Sequence, residues 1–352
     1  MFKQNNATVL GIDISSSAVK LVELGRIKGK YSVEAYAIEA LPTNAVVEGR
    51  IEDIDAVSVT LKRALKQSRS KTRYAATAVS ANEAITKTLS VPADLNDREI
   101  EEYVIAEAEK HIPYSLDEVR LDFDIMDTED NDANTVKVLL AASRKENVDV
   151  RADILNSVGL TAKIVDIESY AIESSYQLLS KRLPQFGNER VVAIVDVGAT
   201  VTTLNVLVDN QVVFTREHTF GGQLLTKDIE REYGLDNKQA GLAKKQQNDL
   251  PSYETKVLQP FINKLATAVV RALQFFSSSS QYAKIEHIIL AGGCALLEGV
   301  TERVSTETQC TVTVANPFSG MIVKSHIDMQ AFSNDSATLL TASGLSLRSD
   351  LA

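Results

Sequence analysis

Apolar residues recur at strand spacing in the first part of the chain, with one segment at helical spacing among them. In residues 54–66, Val57, Leu61 and Leu65 fall on one face of a helix. Residues 25–30, rich in Gly and Lys, predict a turn between two strands. The predicted strands cover residues 8–14, 18–24, 31–38 and 75–79.

The middle of the chain has a different pattern, which predicts a small α+β insertion at residues 81–159. One helix begins with Asp97 as its N-cap, carries acidic residues in its first turn and stops before Pro113. A second helix at residues 146–158 is closed by Gly159, a residue suited to a left-handed C-terminal position. The predicted strands cover residues 85–91, 119–126 and 135–142, and an acidic loop at 127–134 joins the last two.

Strand and helix patterns alternate again in the second half of the chain. A strand at residues 190–197 leads into a hairpin whose two-residue turn is Asp209-Asn210. The pair Gly221-Gly222 precedes a helix, and a later strand ends in Gly292-Gly293. The remaining predicted elements are strands at 201–208, 211–219 and 287–290 and helices at 222–233, 236–245, 256–277, 298–306 and from about 336.

An internal repeat organises these blocks. Residues 10–17 (LGIDISSS) resemble residues 193–200 (AIVDVGAT), because each ends a buried strand with an aspartate and continues into small or hydroxyl residues. Asp13 and Asp196 each lie 11 residues before a leucine in the following strand. Two halves with the same opening predict a duplicated domain with a cleft between the copies.

The two turns have the composition of phosphate-binding loops. Backbone N–H groups in a tight turn of small residues can converge on one phosphate. An aspartate before each turn would repel phosphate directly, but it suits a Mg²⁺ ion held through water. Either turn alone is more typical of an Asx-type hairpin turn without a ligand, and only the matched pair favours a nucleotide site. The candidate site residues are Asp13, Ser15, Ser16, Ser17 and Lys20 in the first half and Asp196, Gly198, Ala199 and Thr200 in the second.

Two glycine pairs extend this candidate site. Gly292-Gly293 can let a base or ribose pack on the backbone, or can mark only a strand-to-helix turn. Gly221-Gly222 can present a helix N-terminus to an anion, or can act only as a hinge-like turn.

Composition narrows the classes of function. A chain of 352 residues exceeds one compact core and predicts at least two domains. A net charge of −10 argues against nucleic-acid binding. Cys294 and Cys310 have neither zinc-ligand spacing nor the number needed for a disulfide framework. No signal-peptide pattern and no apolar run near the ~20 residues of a membrane helix are present, so we expect a cytoplasmic protein that reaches the membrane only through partners. The basic segment 62–73 is interpreted as a solvated helix end.

The Asp-centred loops and the late Ala291-Gly292-Gly293 resemble the actin, Hsp70 and sugar-kinase superfamily. Within it, the sequence is most similar to the PilM family, the cytoplasmic actin-like proteins of type IV pilus assembly. The similar stretches are residues 11–24, 109–114, 196–199 and 271–278. The superfamily's phosphate 1, connect 1, phosphate 2, adenosine and connect 2 segments would be residues 10–24, 166–171, 193–207, 288–299 and 341–345.

This resemblance implies an α/β protein with the actin-like ATPase fold. Two duplicated α/β domains would flank a nucleotide cleft, and the insertion would correspond to the α+β 1C subdomain shared by PilM and the division protein FtsA. Subdomain 1A would comprise residues 1–80 and 160–187, subdomain 1C residues 81–159, the second domain residues 188–335, and a C-terminal helix at 336–352 would return to subdomain 1A.

The resemblance also implies site roles. Asp13 and Asp196 would organise Mg²⁺, and the residues of the two turns would line the phosphates of ATP. Gly222, Gly292 and Gly293 would face the nucleoside.

Two further carboxylates and one small residue complete the implied site. Glu230 would approach the ribose or adenine, and Glu168 would stand near an attacking water or serve only as an acidic residue at a helix N-terminus. Ala199 departs from the small-residue pattern of actin-like hydrolases, so we expect at most a slow ATPase.

The implied function is an ATP-binding scaffold that captures the short N-terminal cytoplasmic segment of the inner-membrane protein PilN. Further expected partners are other inner-membrane and motor components of the pilus, and a homo-oligomer is a further option. Two alternatives stay open: an FtsA-like division protein, for which residues 345–352 lack an amphipathic membrane helix, and a small-molecule kinase, for which no sugar-binding loop is evident.

Overall fold

The computed structural model describes residues 8–126, 134–180, 183, 191–246, 250–282 and 284–350. Its strands are β1 Leu10–Ile14, β2 Ala18–Ile27, β3 Lys30–Ala40, β4 Val46–Val47, β5 Arg50–Ile51, β6 Tyr74–Val79, β7 Ala84–Pro92, β8 Val119–Met126, β9 Thr135–Arg144, β10 Thr161–Ile167, β11 Val191–Val197, β12 Thr202–Val208, β13 Gln211–His218, β14 His287–Ala291, β15 Thr311–Val314 and β16 Ile322–Val323. Its α-helices are α1 Ile54–Ser68, α2 Asp97–His111, α3 Lys145–Ser157, α4 Glu168–Ser180, α5 Gly222–Tyr233, α6 Asn237–Gln246, α7 Gln259–Ser279, α8 Val300–Thr308, α9 Met329–Asp335 and α10 Leu340–Leu347.

Two sheets repeat the same strand order. The first has the order β10-β6-β1-β2-β3-β16, and the second has the order β13-β12-β11-β14-β15. In each, an antiparallel run of three strands begins at the central strand, β1 or β11. Two parallel strands follow on its other side, β6 and β10 in one sheet and β14 and β15 in the other. The repeat found in the sequence is therefore a repeat of topology.

Helices cover the outer face of each sheet and fill the space between the two sheets. Helices α1 and α3 pack under the first sheet, and α5, α7 and α8 pack under the second. Helix α10 lies against β1, and α4 packs on the second sheet through Ile172 and Tyr176. The two central helices cross closely at Gly344, where an added Cβ would overlap the carbonyl oxygen of Ala171. A side chain at that position would force the helices apart.

The insertion has its own small core. A three-stranded sheet of order β7-β9-β8 packs one face on α2. The core residues at that interface include Leu89, Ile100, Val104 and Leu140. Because this core is separate from those of the two larger sheets, the insertion can be described as a body of its own.

The packing argues for moving two of the predicted domain boundaries. Helix α3 lies within predicted subdomain 1C, but its Ile154 and Leu155 are fully buried in the core of the first sheet. Phe318 and Phe332 lie in the predicted second domain, yet they pack with Val22 on the first sheet. We therefore propose that α3 belongs with the first sheet and that the chain returns to it from about residue 318.

One turn and one helix cap differ in detail from the predictions. The predicted turn at 25–30 is present but shorter, because β2 continues to Ile27 and the turn is Lys28-Gly29, with φ of 51° and 80°. At Gly25, within β2, an added Cβ would meet the side chain of Glu34 on β3. The N-cap of α2 is Asn96, not Asp97, since its side chain accepts hydrogen bonds from the first-turn amides. The acidic loop lies outside the described residues, apart from residue 134.

Within the described part of the chain, no helix combines the length and apolarity needed to span a bilayer.

Candidate functional site

The two Asp-centred turns have the same hairpin geometry. The Ser15 N–H donates to the carbonyl of Ala18 at 3.0 Å, and the Gly198 N–H donates to the carbonyl of Val201 at 3.0 Å. Each turn follows the central strand of its sheet, β1 or β11, and starts two residues after the aspartate. The duplication thus places two equivalent turns at the same edge of two equivalent sheets.

Strand register gives each aspartate a different neighbour. Asp13 pairs with Lys20 on β2, and their side chains form an ion pair at 2.9 Å between Nζ and Oδ2. Asp196 pairs with Thr203 on β12, which carries no charge. Lys20 therefore serves the first aspartate directly, and the second aspartate has no cation on its own sheet at this position.

The two turns meet across the gap between the domains. The hydroxyl of Thr200 donates to the hydroxyl of Ser16 at 3.0 Å. Ser15 uses its own hydroxyl within the turn, on the carbonyl of Ala18 at 3.0 Å, while Ser17 is exposed. The structure thus brings the predicted loop residues of both halves together into one cleft.

Charges in this cleft perturb one another strongly. Burial raises the pKa of Asp196 to about 6, with Lys20 lowering it and Asp13 raising it. Burial lowers the pKa of Lys20, but the nearby Asp13, Asp196 and Glu168 carboxylates outweigh it and raise the pKa overall. A cluster of carboxylates around one lysine is the arrangement in which functional sites shift pKa values.

Glu168 belongs to the same cluster, although it comes from a different element. It is the first residue of α4, directly after β10. Burial raises its pKa well above the ordinary value, and Asp13 and Glu217 add to the effect. The carboxyl group therefore holds a proton more readily than an exposed glutamate, which suits a group that accepts and releases protons. Its catalytic role stays a prediction.

The first turn of α5 supports the second loop rather than presenting free donors. The N–H of Gly222 donates to the carbonyl of Gly198 at 2.9 Å, and the N–H of Gln223 donates to the carbonyl of Ala199 at 2.8 Å. A Cβ at Gly221 would lie 2.5 Å from the oxygen of Ala199, so only glycine permits this contact. This arrangement fixes the loop and favours the turn interpretation of Gly221-Gly222 over an anion site.

The late glycine pair forms part of the cleft wall beside Asp196. Gly292 has φ of 83°, and an added Cβ there would overlap Oδ1 of Asp196 and the carbonyl of Val197. An added Cβ at Gly293 would meet nothing within 4 Å, so this side of the backbone is open. Close backbone packing at one glycine and open space at the next form the kind of surface on which a nucleoside can pack.

Comparison with known proteins decides the family. The profile of the family described as type IV pilus assembly protein PilM matches residues 11–350. The chain belongs to the PilM family. A solved structure described as a PilM-PilN type IV pilus biogenesis complex has 26% sequence identity and a TM-score of 0.80, over 98% of this chain and 99% of that one.

Two more distant structures show the fold alone. The ethanolamine utilization protein EutJ from Carboxydothermus hydrogenoformans has 18% identity and a TM-score of 0.56, over 96% of this chain and 89% of that one. MreB 5 of Spiroplasma citri, solved bound to AMPPNP, has 13% identity and a TM-score of 0.51, over 97% of this chain and 96% of that one. The predicted actin-like ATPase fold is confirmed. Neither the division-protein nor the kinase alternative is favoured by these matches.

Lys244 lies beside the cleft and was not among the predicted site residues. Its Nζ donates to the carbonyl of Gly222 at 3.0 Å, and a Cβ at Gly222 would meet Nζ of Lys244 at 3.1 Å and Sγ of Cys294 at 2.6 Å. Burial lowers the pKa of Lys244. The available signal was its position one helical turn after the fully buried Ala240, which puts it on the inner face of α6.

Glu230 lies about two helical turns beyond Gly222 along α5. Its Oε1 accepts a hydrogen bond from the side chain of Asn237 at 2.7 Å, at the junction of α5 and α6. The structure therefore places it outside the carboxylate cluster, and its approach to ribose or adenine stays a prediction.

The side chains around the two turns suit a nucleotide with Mg²⁺ by their chemistry. The hydroxyl groups of Ser16 and Thr200 meet between the two turns, Lys20 supplies a cation, and the backbone at Gly293 has open space beside it. Among the described residues, no three or more His, Cys, Asp or Glu side chains group into a metal site by themselves. Asp13 and Asp196 are the residues that would hold a hydrated Mg²⁺ there, together with phosphate oxygens.

Proposed function

We propose that this chain is an ATP–Mg²⁺-binding scaffold of the type IV pilus machine, placed in the cytoplasm at the inner membrane, which holds the N-terminal cytoplasmic segment of PilN. The observation that carries the proposal is the pair of equivalent turns, after Asp13 and Asp196, which meet across one cleft. The PilN-binding part of the proposal is supported by the likeness to the PilM-PilN complex along nearly the whole chain.

In this proposal, each group of the cleft has a separate task. The two aspartates orient hydrated Mg²⁺, which supplies positive charge to the phosphates when bound. The hydroxyl groups of Ser16, Ser17 and Thr200 donate to phosphate oxygens, the Ser15 and Gly198 amides keep the two turns closed, and Lys20 neutralises part of the phosphate charge. Lys244 and the glycines at 222, 292 and 293 border the nucleoside side of the cleft.

Hydrolysis is proposed to be slow. Glu168 is the only carboxylate of the cluster that stands outside the two turns, so it is the candidate for accepting a proton from an attacking water. Ala199 supplies no side-chain donor in the second loop, and its carbonyl is occupied by the N–H of Gln223 at 2.8 Å. A loop with few polar groups to orient water favours binding over turnover.

The insertion is the proposed binding site for the PilN segment. Helix α2 covers one face of its sheet, while the other face carries Thr86, Thr88 and Leu139 by strand alternation. Thr86 lies beside Tyr170 of α4, so this face is turned toward the first domain. An extended peptide can lie in that space or add to the edge strand β8. Binding of motor components and self-association stay predictions.

Calorimetric titration of ATP–Mg²⁺ into the wild type and Asp13→Ala tests the nucleotide half. We expect the variant to bind at least about tenfold more weakly, because a loss of one charged contact of about 1.4 kcal/mol has that effect. Asp94→Ala, at an exposed position of the insertion, is the matched control and should bind like the wild type. Undiminished binding in a folded Asp13→Ala protein contradicts the site assignment.

Titration of a synthetic PilN N-terminal peptide, with and without ATP–Mg²⁺, tests the partner half. Binding that changes with nucleotide supports a scaffold whose shape depends on its ligand. If neither condition gives binding, the partner assignment fails, whatever the nucleotide result.

A further inference from the structure

The 3₁₀ turn Ala81–Glu83 is the entrance to the insertion. It follows β6 of the first sheet and leads directly into β7. The hydroxyl of Ser143, on β9, donates to the carbonyl of Glu83 at 2.7 Å, which ties the turn to the insertion's own sheet. Any displacement of this turn therefore moves the base of the insertion.

A buried ion pair anchors the back of the turn. Arg151 on α3 donates to Oε2 of Glu83 at 2.8 Å, and their side chains are only 2% and 6% exposed. The same guanidinium donates to the carbonyls of Gly49 and Asn147, each at 2.7 Å. The turn is thus held stiffly on the side of the first domain, and its freedom to respond lies on the opposite side.

The opposite side of the turn is held by the second domain. Oε2 of Glu217, on β13, accepts a hydrogen bond from the side-chain amide of Asn82 at 2.6 Å. Its Oε1 accepts from the hydroxyl of Ser80 at 3.4 Å. Burial raises the pKa of Glu217, so this carboxylate is not an ordinary solvated surface group. A charge-assisted hydrogen bond between two domains acts as a latch that opens when the domains separate.

Glu217 is also tied to the nucleotide cleft. Asp196 pairs with Thr203 across β11 and β12, and Thr203 pairs with Glu217 across β12 and β13. Residues directly opposite one another share a face of the sheet, and strands lie about 4.8 Å apart, so Asp196 and Glu217 are about 10 Å apart in one row. The sheet is rigid at this scale, so the second loop and Glu217 move together.

We infer that Glu217 is a positioning residue, and that its hydrogen bond with Asn82 transmits nucleotide-dependent closure of the two domains to the base of the insertion. The inference rests on the proposed function, because it needs a nucleotide in the cleft. Phosphates held by both loops fix the gap that the Ser16–Thr200 contact spans, and the same gap is spanned by Glu217 and Asn82. Nucleotide in the cleft therefore favours the latched state of the turn.

Hydrogen exchange of the whole chain, with and without ATP–Mg²⁺, tests this without any partner. In the wild type, we expect slower exchange in both loops and also in residues 80–85. In Glu217→Ala, ATP–Mg²⁺ should still slow exchange in both loops. In residues 80–85 the wild type should show a slowing of about tenfold, the scale of one hydrogen bond to a charged group, and Glu217→Ala should lose most of it. Glu217→Gln, which keeps an acceptor for Asn82, should lie between the two. Glu254→Ala, an exposed glutamate of the second domain, is the matched control and should behave like the wild type.

The outcomes separate the two claims. If the loops do not slow in the wild type, the proposed nucleotide function fails first. If the loops slow but residues 80–85 do not respond, or respond equally in Glu217→Ala, the latch is refuted while nucleotide binding stands. Asn82→Ala approaches the contact from its other side and should reproduce the effect of Glu217→Ala, and a double variant should add little to either one.

Discussion

The carboxylate of Asp196 is expected to lower the free energy of unfolding near neutral pH. Its pKa is raised from the ordinary 3.8 to about 6 by burial, which Asp13 reinforces and Lys20 opposes. At neutral pH the carboxylate is therefore ionised in an environment that disfavours the charge. Replacing Asp196 with Asn keeps the shape of the side chain and removes the charge, so Asp196→Asn should be more stable than the wild type near pH 7.5.

The magnitude and the pH window follow from the same pKa. The rise from 3.8 to about 6 corresponds to roughly 3 kcal/mol at about 1.4 kcal/mol per pKa unit. A raised carboxyl pKa means that the folded state binds the proton more tightly than the unfolded state does. The penalty is therefore fully present above about pH 6, shrinks as the pH falls through that value, and vanishes below about pH 4.

Urea unfolding followed by circular dichroism at a series of pH values measures this directly. The difference in unfolding free energy between Asp196→Asn and the wild type should reach up to about 3 kcal/mol at pH 7.5 and approach zero near pH 4. Asp166→Asn is the control of opposite sign, because Asp166 accepts a hydrogen bond from Arg348 at 2.7 Å and its loss removes an ion pair. An Asp196→Asn protein less stable than the wild type at pH 7.5 refutes the reasoning.

Further changes in the cleft and in the core also have expected outcomes. Lys20→Met should weaken ATP–Mg²⁺ binding by at least about tenfold in calorimetry, because it removes the cation that pairs with Asp13 at 2.9 Å. In the same titration of the wild type, chelating Mg²⁺ should weaken ATP binding far more than raising the salt concentration does. Arg151→Met should lower the free energy of unfolding by about 3–5 kcal/mol, since it strands a buried carboxylate, and adding Glu83→Gln should restore part of the loss. Gly344→Ala should destabilise by about 1–3 kcal/mol because its Cβ meets the backbone of α4, whereas Gly241→Ala, with open space around it, should stabilise by up to about 1 kcal/mol in thermal unfolding.

Local patterns and the repeat were enough to predict most of the large elements. The hairpin turn at Asp209-Asn210 appears where it was predicted, because its φ values of 48° and 74° are those that Asp and Asn tolerate. Strand β8 spans the predicted residues. Matching two short segments around Asp13 and Asp196 also predicted a duplicated fold, since the same strand-turn-strand unit must open each copy.

What the sequence missed depends on packing between distant segments. Helix α3 carries an ordinary amphipathic pattern, and nothing in it says that Ile154 and Leu155 bury against the first sheet. Glu217 has no local signature, and Lys244 has only its spacing from Ala240, because their importance comes from the partners that tertiary structure gives them, Asn82 and Gly222. Contacts of this kind become visible only once the sheets are set side by side.

The balance of charge in the cleft explains why such a site can act as a conformational scaffold. Asp13, Asp196 and Glu168 raise the pKa of Lys20 together, so the cleft holds more negative charge than this one lysine can neutralise. Bringing the two loops together crowds these carboxylates, and like charges in a poorly solvated gap repel. A bare triphosphate would add to the repulsion, and Mg²⁺ bound with it would offset part of that negative charge. In the proposed function, binding energy would close the domains without any bond being broken, and the strand-paired row from Asp196 to Glu217 would carry that closure to the insertion.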